Sequence, residues 1–316
     1  MTSLYHGKRI LVTGGGGFIG TALVEALVKT RGVDRADLVV PRSQGCDLRI
    51  FENAQRAVEG CQVVFHLAAR TGGIAYSRSH PASQYSDCAL MNLQVFEAAR
   101  LAGVKTLVAI GNLLAYPESA PVPLREEEIY NGKIAPTHLG IGASKRGLVD
   151  LAEMYHQEYG MNVSVVLSAN TYGPGDRFDP AISHVIPATI MKCCQETNEL
   201  AVWGDGTPTR DFLYVEDVAE GLLLAAEKLQ GFQVVNIASG QEISIGELVR
   251  LIARLAGFGG QIRFNPSHGG GDPKRGASTE RAKRLMGFAP RVALEEGLRR
   301  TIEWYKSQQR TEALPR

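Results

Sequence analysis

The stretch Val12-Thr13-Gly14-Gly15-Gly16-Gly17-Phe18-Ile19-Gly20 constrains this chain more than any other. It follows an apolar strand at 9–13 and opens a segment in which Ile19, Leu23, Ala26 and Leu27 fall on one helical face, with Gly32 as the stop. A strand, a glycine-rich turn and a helix in that order form the dinucleotide fingerprint. Gly14 lets the chain turn sharply, Gly17 admits a pyrophosphate close to the backbone, and Gly20 lets the helix lie close on the sheet. The helix N-terminus at Phe18 and Ile19 then offers unpaired N–H groups and a partial positive charge to the phosphates. The plain alternative is a tight turn with no ligand, which the strand-before, helix-after context disfavours.

Further apolar runs at 38–40, 63–66, 106–110 and 162–167 read as strands, separated by helical periodicity, notably at 81–102 and 142–159. This alternation predicts an α/β fold, a Rossmann doubly wound parallel sheet with right-handed crossovers. After Ser168 the character changes to Pro, Gly and His clusters at 172–187, 203–208 and 265–273. The expected organisation is a dinucleotide-binding domain at 1–168 and a smaller mixed α/β lobe at 169–316, with 211–240 returning to the sheet. The run Gly269-Gly270-Gly271-Asp272-Pro273 reads as a flexible loop or as a loop at the ligand.

Charge excludes some functions. The 34 Lys and Arg nearly cancel the 33 Asp and Glu, so no broad basic field exists to capture nucleic acid or an anionic membrane. No apolar run approaches the ~20 residues of a membrane span, and residues 1–9 carry no secretory h-region, so a cytoplasmic protein is expected. Cys46, Cys61, Cys88, Cys193 and Cys194 are scattered without metal-ligand spacing and read as reduced thiols, with no metal site.

The glycine turn, Asp47-Leu48, His66-Leu67-Ala68-Ala69, Lys145, Asn170 with Tyr172-Gly173-Pro174, and Tyr214-x-x-Asp217-Val218-Ala219 together resemble the extended short-chain dehydrogenase/reductases, the NAD-dependent epimerase/dehydratase family. Within it the likeness is greatest to the GDP-fucose synthases. It is most specific over Ser183-His184-Val185-Ile186-Pro187-Ala188 and Val202-Trp203-Gly204-Asp205-Gly206-Thr207-Pro208-Thr209-Arg210-Asp211-Phe212. The resemblance implies a nicotinamide cofactor and a GDP-sugar substrate. It places Asp47 and Leu48 near the adenine, Ala68 and Ala69 near the cofactor phosphates, and Lys145 at the nicotinamide ribose. Asn170, His184, Val185, Lys192, Trp203, Arg210 and Arg275 would line the sugar-nucleotide site. Arginine forks suit a diphosphate, and Trp203 offers a flat face to a base or sugar, or packs on its glycine-rich turn. His184 is either catalytic or structural. A homodimer through 81–102 and 142–159 is also implied.

The chain departs from that family where the proton moves. Lys145 is present, but the tyrosine four residues before it is Ile141, the serine position is Asn112, and the epimerisation cysteine of the GDP-fucose synthases aligns with Leu114. An isoleucine cannot exchange a proton, and an amide is too weak an acid to donate one. Asn112 can still polarise a sugar oxygen. His138 is the titratable side chain in this interval, a substitute acid or a surface-loop histidine, with Cys88, Tyr76 and Tyr85 as lesser candidates. Two arginines that favour NADP in the family are Gly16 and Ser43 here, and Arg42 either holds a 2′-phosphate or stands solvated. NAD or NADP is left open, tilting to NAD. Three readings follow: an isomerase (epimerase or pyranose/furanose mutase) of a GDP-hexose that retains its cofactor, a reductase/epimerase of a 4-keto-6-deoxy GDP-sugar with a relocated acid, or a noncatalytic ligand sensor.

Overall fold

In the computed structural model, which describes residues 4–180, 182–196, 198–268 and 273–312, the glycine-flanked strand is β1 (Arg9–Thr13) and the helix after it α1 (Phe18–Arg31). They are followed by β2 (Leu38–Val39), α2 (Phe51–Val58), β3 (Cys61–His66), α3 (Ile74–Ser79), α4 (Pro81–Leu101), β4 (Thr106–Asn112), α5 (Leu139–Tyr159) and β5 (Val163–Ser168). Strand and helix alternate because β1, β3, β4 and β5 are near-continuous buried apolar runs, as strands must be when helices cover both faces. Six parallel strands form one sheet in the order β2-β1-β3-β4-β5-β9, where β9 is Phe232–Ile237. The chain runs from β1 outward to β2 and returns to β3 on the other side of β1. The direction of winding therefore switches between β1 and β3, the place where open α/β sheets bind ligands beyond the strand ends.

The remaining elements are β6 (Asn170–Tyr172), α6 (Val185–Gln195), β7 (Glu199–Trp203), β8 (Thr209–Tyr214), α7 (Val215–Lys228), β10 (Glu242–Ser244), α8 (Ile245–Ala256), β11 (Gln261–Asn265), β12 (Lys274–Arg275), α9 (Glu280–Met286) and α10 (Leu294–Glu312). β8 carries β10 and β12 on its flanks and pairs with β6, while β7 and β11 form a separate parallel pair. These surround a second core that includes Tyr172, Ile190, Leu248, Ile252 and Leu298, distinct from the sheet's own core. α8 begins with a reciprocal Ser244–Glu247 capping box and ends at Gly257 in the left-handed region. Among the described residues no helix is long and apolar enough to cross a membrane. Residues 269–272, which hold most of the glycine-rich loop expected at 269–273, lie outside the described residues.

Two boundaries differ from the sequence expectation in a way that matters. β4 extends past 110 to Asn112, and α5 starts at Leu139 rather than 142, fed directly by a short 3-10 turn at Pro136–His138. Gly140 and Gly142 are poor helix formers and hide this start. Their lack of a side chain is needed, since a Cβ on Gly142 would lie 2.5 Å from the Leu114 carbonyl oxygen. The first turn of α5 thus sits backbone-close to the turn after β4.

Candidate active site

At the end of β1, Gly14 adopts φ +67°, and a Cβ there would press on the Ala68 backbone nitrogen at 2.9 Å. A Cβ on Gly20 would fall 2.5 Å from Gly15 Cα. Only glycine fits either place. The first intrahelical bond of α1 runs from Thr21 N to Gly17 O (2.9 Å), so the N–H groups of Phe18, Ile19 and Gly20 precede the hydrogen-bonded ladder. A cradle without side chains, floored by helix N-terminal amides, fits a pyrophosphate. On its far wall, Thr13 Oγ1 accepts from the N–H groups of Leu67 (3.1 Å) and Ala68 (3.2 Å) and bonds His66 Nδ1 at 2.8 Å; His66 Nε2 bonds Asn92 Oδ1 at 3.0 Å. Burial pushes the His66 pKa down to about 4, so the ring is neutral and accepts the threonine proton. Ala68 and Ala69 are held half-buried at the turn by this relay.

Of the residues expected at the adenosine end, Leu48 is buried and Asp47 is committed elsewhere. The Arg49 guanidinium grips both Asp47 carboxylate oxygens at 2.6–3.1 Å and holds its pKa down to about 2.

Of the positions expected to be catalytic, Lys145, Asn112 and His138 gather where β4 ends. Lys145 is buried on α5 and donates from Nζ to the Ile110 carbonyl oxygen at 2.8 Å; burial pulls its pKa below the ordinary lysine range, opposed by the Cys88 thiol. One turn earlier Ile141 is buried, so a hydrocarbon fills the position of the family tyrosine. Among the described residues the lysine's hydrogen-bond partner is that carbonyl and no tyrosine hydroxyl. Asn112 is half-buried, and its Oδ1 accepts from Leu114 N at 3.1 Å, which leaves the amide nitrogen to polarise a ligand oxygen.

His138 is not the surface-loop histidine allowed for above. It is 7% exposed, shares a 3.0 Å hydrogen bond with Thr137 Oγ1, and its ring faces Gly142 beside Leu114. The short turn Pro136–His138 tucks it inward before α5 begins. Tyr85 stands exposed on α4, and Cys88 is buried against the Arg70 backbone. The Tyr76 hydroxyl is buried on α3, which packs against the Pro136–His138 turn, and the Arg70 guanidinium lies 5.8 Å from its ring centroid.

The second lobe reaches this cluster through Arg275. From β12 it is buried and donates from Nη1 to the Leu113 carbonyl oxygen, next to Asn112. Arg275 is in register with Arg210 on β8, and Arg210 donates from Nη1 to its neighbour's carbonyl, Thr209 O, at 2.6 Å. Asn170 on β6 donates to the Asp211 carbonyl at 3.0 Å. These three lie on adjoining strands. Lys192 on α6 donates to Ala201 O at 2.8 Å, two residues before Trp203, whose side chain is 74% exposed at the end of β7. His184 is the exposed N-cap of α6, and the bond from Ala188 N to its carbonyl leaves the Val185 N–H ahead of the ladder.

One residue escaped the sequence reading. Asp176 accepts from Arg177 N at 2.7 Å with Oδ1, while its buried Oδ2 has no partner among the described residues; burial raises its pKa, with the His184 and Arg177 charges working the other way. The Arg177 side chain in turn donates to Thr71 O (3.4 Å), joining this loop to the segment after β3. The signal was an acid directly after Gly173-Pro174-Gly175, in a run read only for its turn residues.

A profile of the NAD dependent epimerase/dehydratase family matches residues 10–238. The chain is 35% identical to a GDP-L-fucose synthase of Sinorhizobium fredii over 310 residues, covering 96% of this chain and 97% of that protein. Among solved structures, a GDP-L-fucose synthetase from Naegleria fowleri bound to NADP superposes with a TM-score of 0.88 at 27% identity, covering 98% of this chain and 96% of that one. A GDP-mannoheptose C4 reductase from Campylobacter jejuni with NADP bound gives 0.86 at 26% identity, covering 95% and 98%. With the glycine cradle, the six-stranded parallel sheet and the lysine of α5 all in place, the chain is a member of the NAD dependent epimerase/dehydratase family.

Proposed function

We propose that this protein isomerises a GDP-hexose, as an epimerase or a pyranose/furanose ring mutase, and keeps a nicotinamide dinucleotide bound while doing so. The observation that carries the reading is the buried Ile141 one turn before Lys145, a hydrocarbon where the family has its proton-transferring tyrosine. The choice of GDP follows the curated relatives named GDP-L-fucose synthase and the neighbour named GDP-mannoheptose C4 reductase.

Gly14, Gly17 and Gly20 leave the space for the cofactor pyrophosphate, the Phe18 and Ile19 amides bind it, Ala68 and Ala69 wall it, and Leu48 packs at the adenine. Lys145 anchors the nicotinamide ribose. Bound there, the dinucleotide supplies reversible hydride exchange at a sugar carbon. The Asn112 amide nitrogen polarises a hexose oxygen, Arg210, Lys192 and Arg275 offset the diphosphate charge, and Asn170, Val185 and Trp203 orient the nucleotide. His184, with Asp176 behind it, is the imidazole placed to move a proton at the sugar. Substrate and product are isomers, so no net electrons are required.

Incubating the purified protein with a panel of GDP-hexoses and no added reductant, and following the sugar ring protons by NMR, tests this. A new spin system of unchanged mass is expected for one of them. Unchanged spectra for every GDP-sugar that binds would refute the isomerase reading.

A second reading has a specific observation behind it. The inward-facing His138 lies beside Leu114 and one turn from Ile141, where a relocated acid would stand. Oxidation of NADPH that depends on a 4-keto-6-deoxy GDP-sugar and is lost in His138→Ala would favour a reductase. The protein is also proposed to be a homodimer, through the face of α4 and α5 on which Leu90, Leu93, Leu101 and Met154 stand exposed.

A further inference from the structure

We propose that Lys145 is the proton-exchanging group of the reaction: its amine takes the proton of a sugar hydroxyl and later gives it back. The proposal rests on the isomerase reading, on its epimerase branch, and names the side chain that does the work left by the missing tyrosine.

A lysine buried beside a tyrosine has a hydroxyl with which to share its charge. Lys145 has none. It is 5% exposed, and position 141, one turn earlier on the same face of α5, is a buried isoleucine. Among the described residues its Nζ has one hydrogen-bond partner, the Ile110 carbonyl oxygen at 2.8 Å, and meets no carboxylate. The titratable groups that face it from neighbouring elements are His66 at the end of β3 and the Cys88 thiol on α4. His66 is neutral, with its two ring nitrogens committed to Thr13 and Asn92. No carboxylate therefore offsets a positive charge at this place. An ammonium taken out of water without one loses far more solvation than a single carbonyl returns, and such a group sheds its proton instead.

The hydrogen-bond inventory points the same way. An ammonium carries three donors and no acceptor, and only one donor is used here. The neutral amine carries two N–H groups and a lone pair. One N–H is spent on Ile110, the second can hold a ribose hydroxyl, and the lone pair is open to accept a proton. The carbonyl anchor fixes where this happens. Ile110 lies two residues before Asn112 on β4, about 7 Å along an extended strand. Asn112 spends its Oδ1 on the Leu114 N–H and keeps its amide nitrogen for a ligand oxygen. A base and a polarising donor thus serve the same strand end. An arginine at 145 could fill the anchor but not the role, because a guanidinium does not give up its proton. His184, exposed at the N-terminus of α6, acts from the other lobe.

The step balances. The amine takes the hydroxyl proton as the hydride on the same carbon passes to the oxidised dinucleotide, so the sugar becomes a ketone and Lys145 an ammonium. Return of the hydride and of the proton restores an alcohol and the neutral amine, with no net electrons exchanged.

Two measurements test this. In protein carrying isotope-labelled lysine, the Cε and Nζ signals are followed by NMR through a pH titration, with Lys145 assigned by its absence from Lys145→Arg and, should that variant not fold, from Lys145→Met. Lys145 is expected to lose its proton well below the pH at which the other lysines do. Titration together with the others would overturn the proposal. In turnover, Lys145→Ala should lose at least about 100-fold in kcat, and small primary amines added to the buffer should restore about tenfold or more, at rates that rise with amine basicity. Guanidine, a cation that keeps its proton, should restore nothing. An alanine variant that keeps its kcat would overturn the proposal, as would absence of rescue by any amine, or equal rescue by guanidine, which would reduce the role to a positive charge. Turnover of no GDP-hexose with the amine neutral would remove the isomerase reading and leave the base standing; a charged Lys145 with turnover intact would do the reverse.

Discussion

His66 shows how one neutral imidazole can hold a phosphate site in shape. Its acceptor nitrogen takes the Thr13 proton, and Thr13 Oγ1 is thereby oriented to receive the Leu67 and Ala68 N–H groups that face the glycine turn. Protonating the ring reverses the first of these bonds. The pKa is about 4 in the folded chain against 6.5 unfolded, so the unfolded state binds more protons between those values. Stability is present in full above pH 6.5 and is lost as the pH falls toward 4, by about 3 kcal/mol in total. Denaturant melts at pH 7.5 and pH 5 should show this loss, and His66→Gln should flatten the dependence while lowering the neutral-pH baseline by roughly 1–2 kcal/mol for its disturbed hydrogen bonds. An unchanged pH slope in the variant would exclude His66 as the titrating group. At this scale the sequence was most legible where chemistry requires a residue type: Gly14, Lys145 and the replacement of the proton donor by Ile141 can each be read off the letters. Asp176 and the burial of His138 could not, because both depend on what packs over them from segments distant in sequence.

Among the elements, the turn from β1 into α1 is a tight junction. Gly20 has no room for a methyl group, whose nearest neighbours would be backbone atoms of Gly14 and Gly15 that cannot move aside. Gly20→Ala should cost about 3 kcal/mol in denaturant unfolding and weaken dinucleotide binding in calorimetry, because α1 must lift its N-terminal amides off the phosphates to relieve the contact. A variant of unaltered stability and affinity would show that the junction is looser than drawn. Strands β1, β3, β4 and β5 were visible in the sequence as uninterrupted apolar runs, β1 with both ends as expected and the other three with ends misjudged by one or two residues. The start of α5 was misjudged by three, since glycines that serve a close backbone approach look, by propensity, like a loop. The short strands β6, β10 and β12 gave no usable pattern, being two or three residues long and fixed only by their pairing with β8.

For the whole molecule, the first question is what covers the outer face of α4 and α5. Leu90, Leu93 and Leu101 recur at spacings of three and eight, one helical face, and Met154 adds to the apolar surface on the neighbouring helix. Light scattering after size exclusion should give twice the 34.2 kDa chain mass, and a Leu93→Arg, Leu101→Arg double variant should elute as a monomer with its fold retained by circular dichroism. A monomeric unaltered protein would dispose of the dimer.

The strand pairings of the second lobe carry a different consequence. β7 and β8 come from one stretch of chain and their partners β11, β10 and β12 from another, separated by α7 and β9, of which β9 belongs to the main sheet. No single cut-and-paste can exchange this lobe with that of a relative: a graft would have to import two separated stretches in matched register, Arg210 opposite Arg275 among them. A lobe built this way is freer to change its substrate one residue at a time than by trading modules.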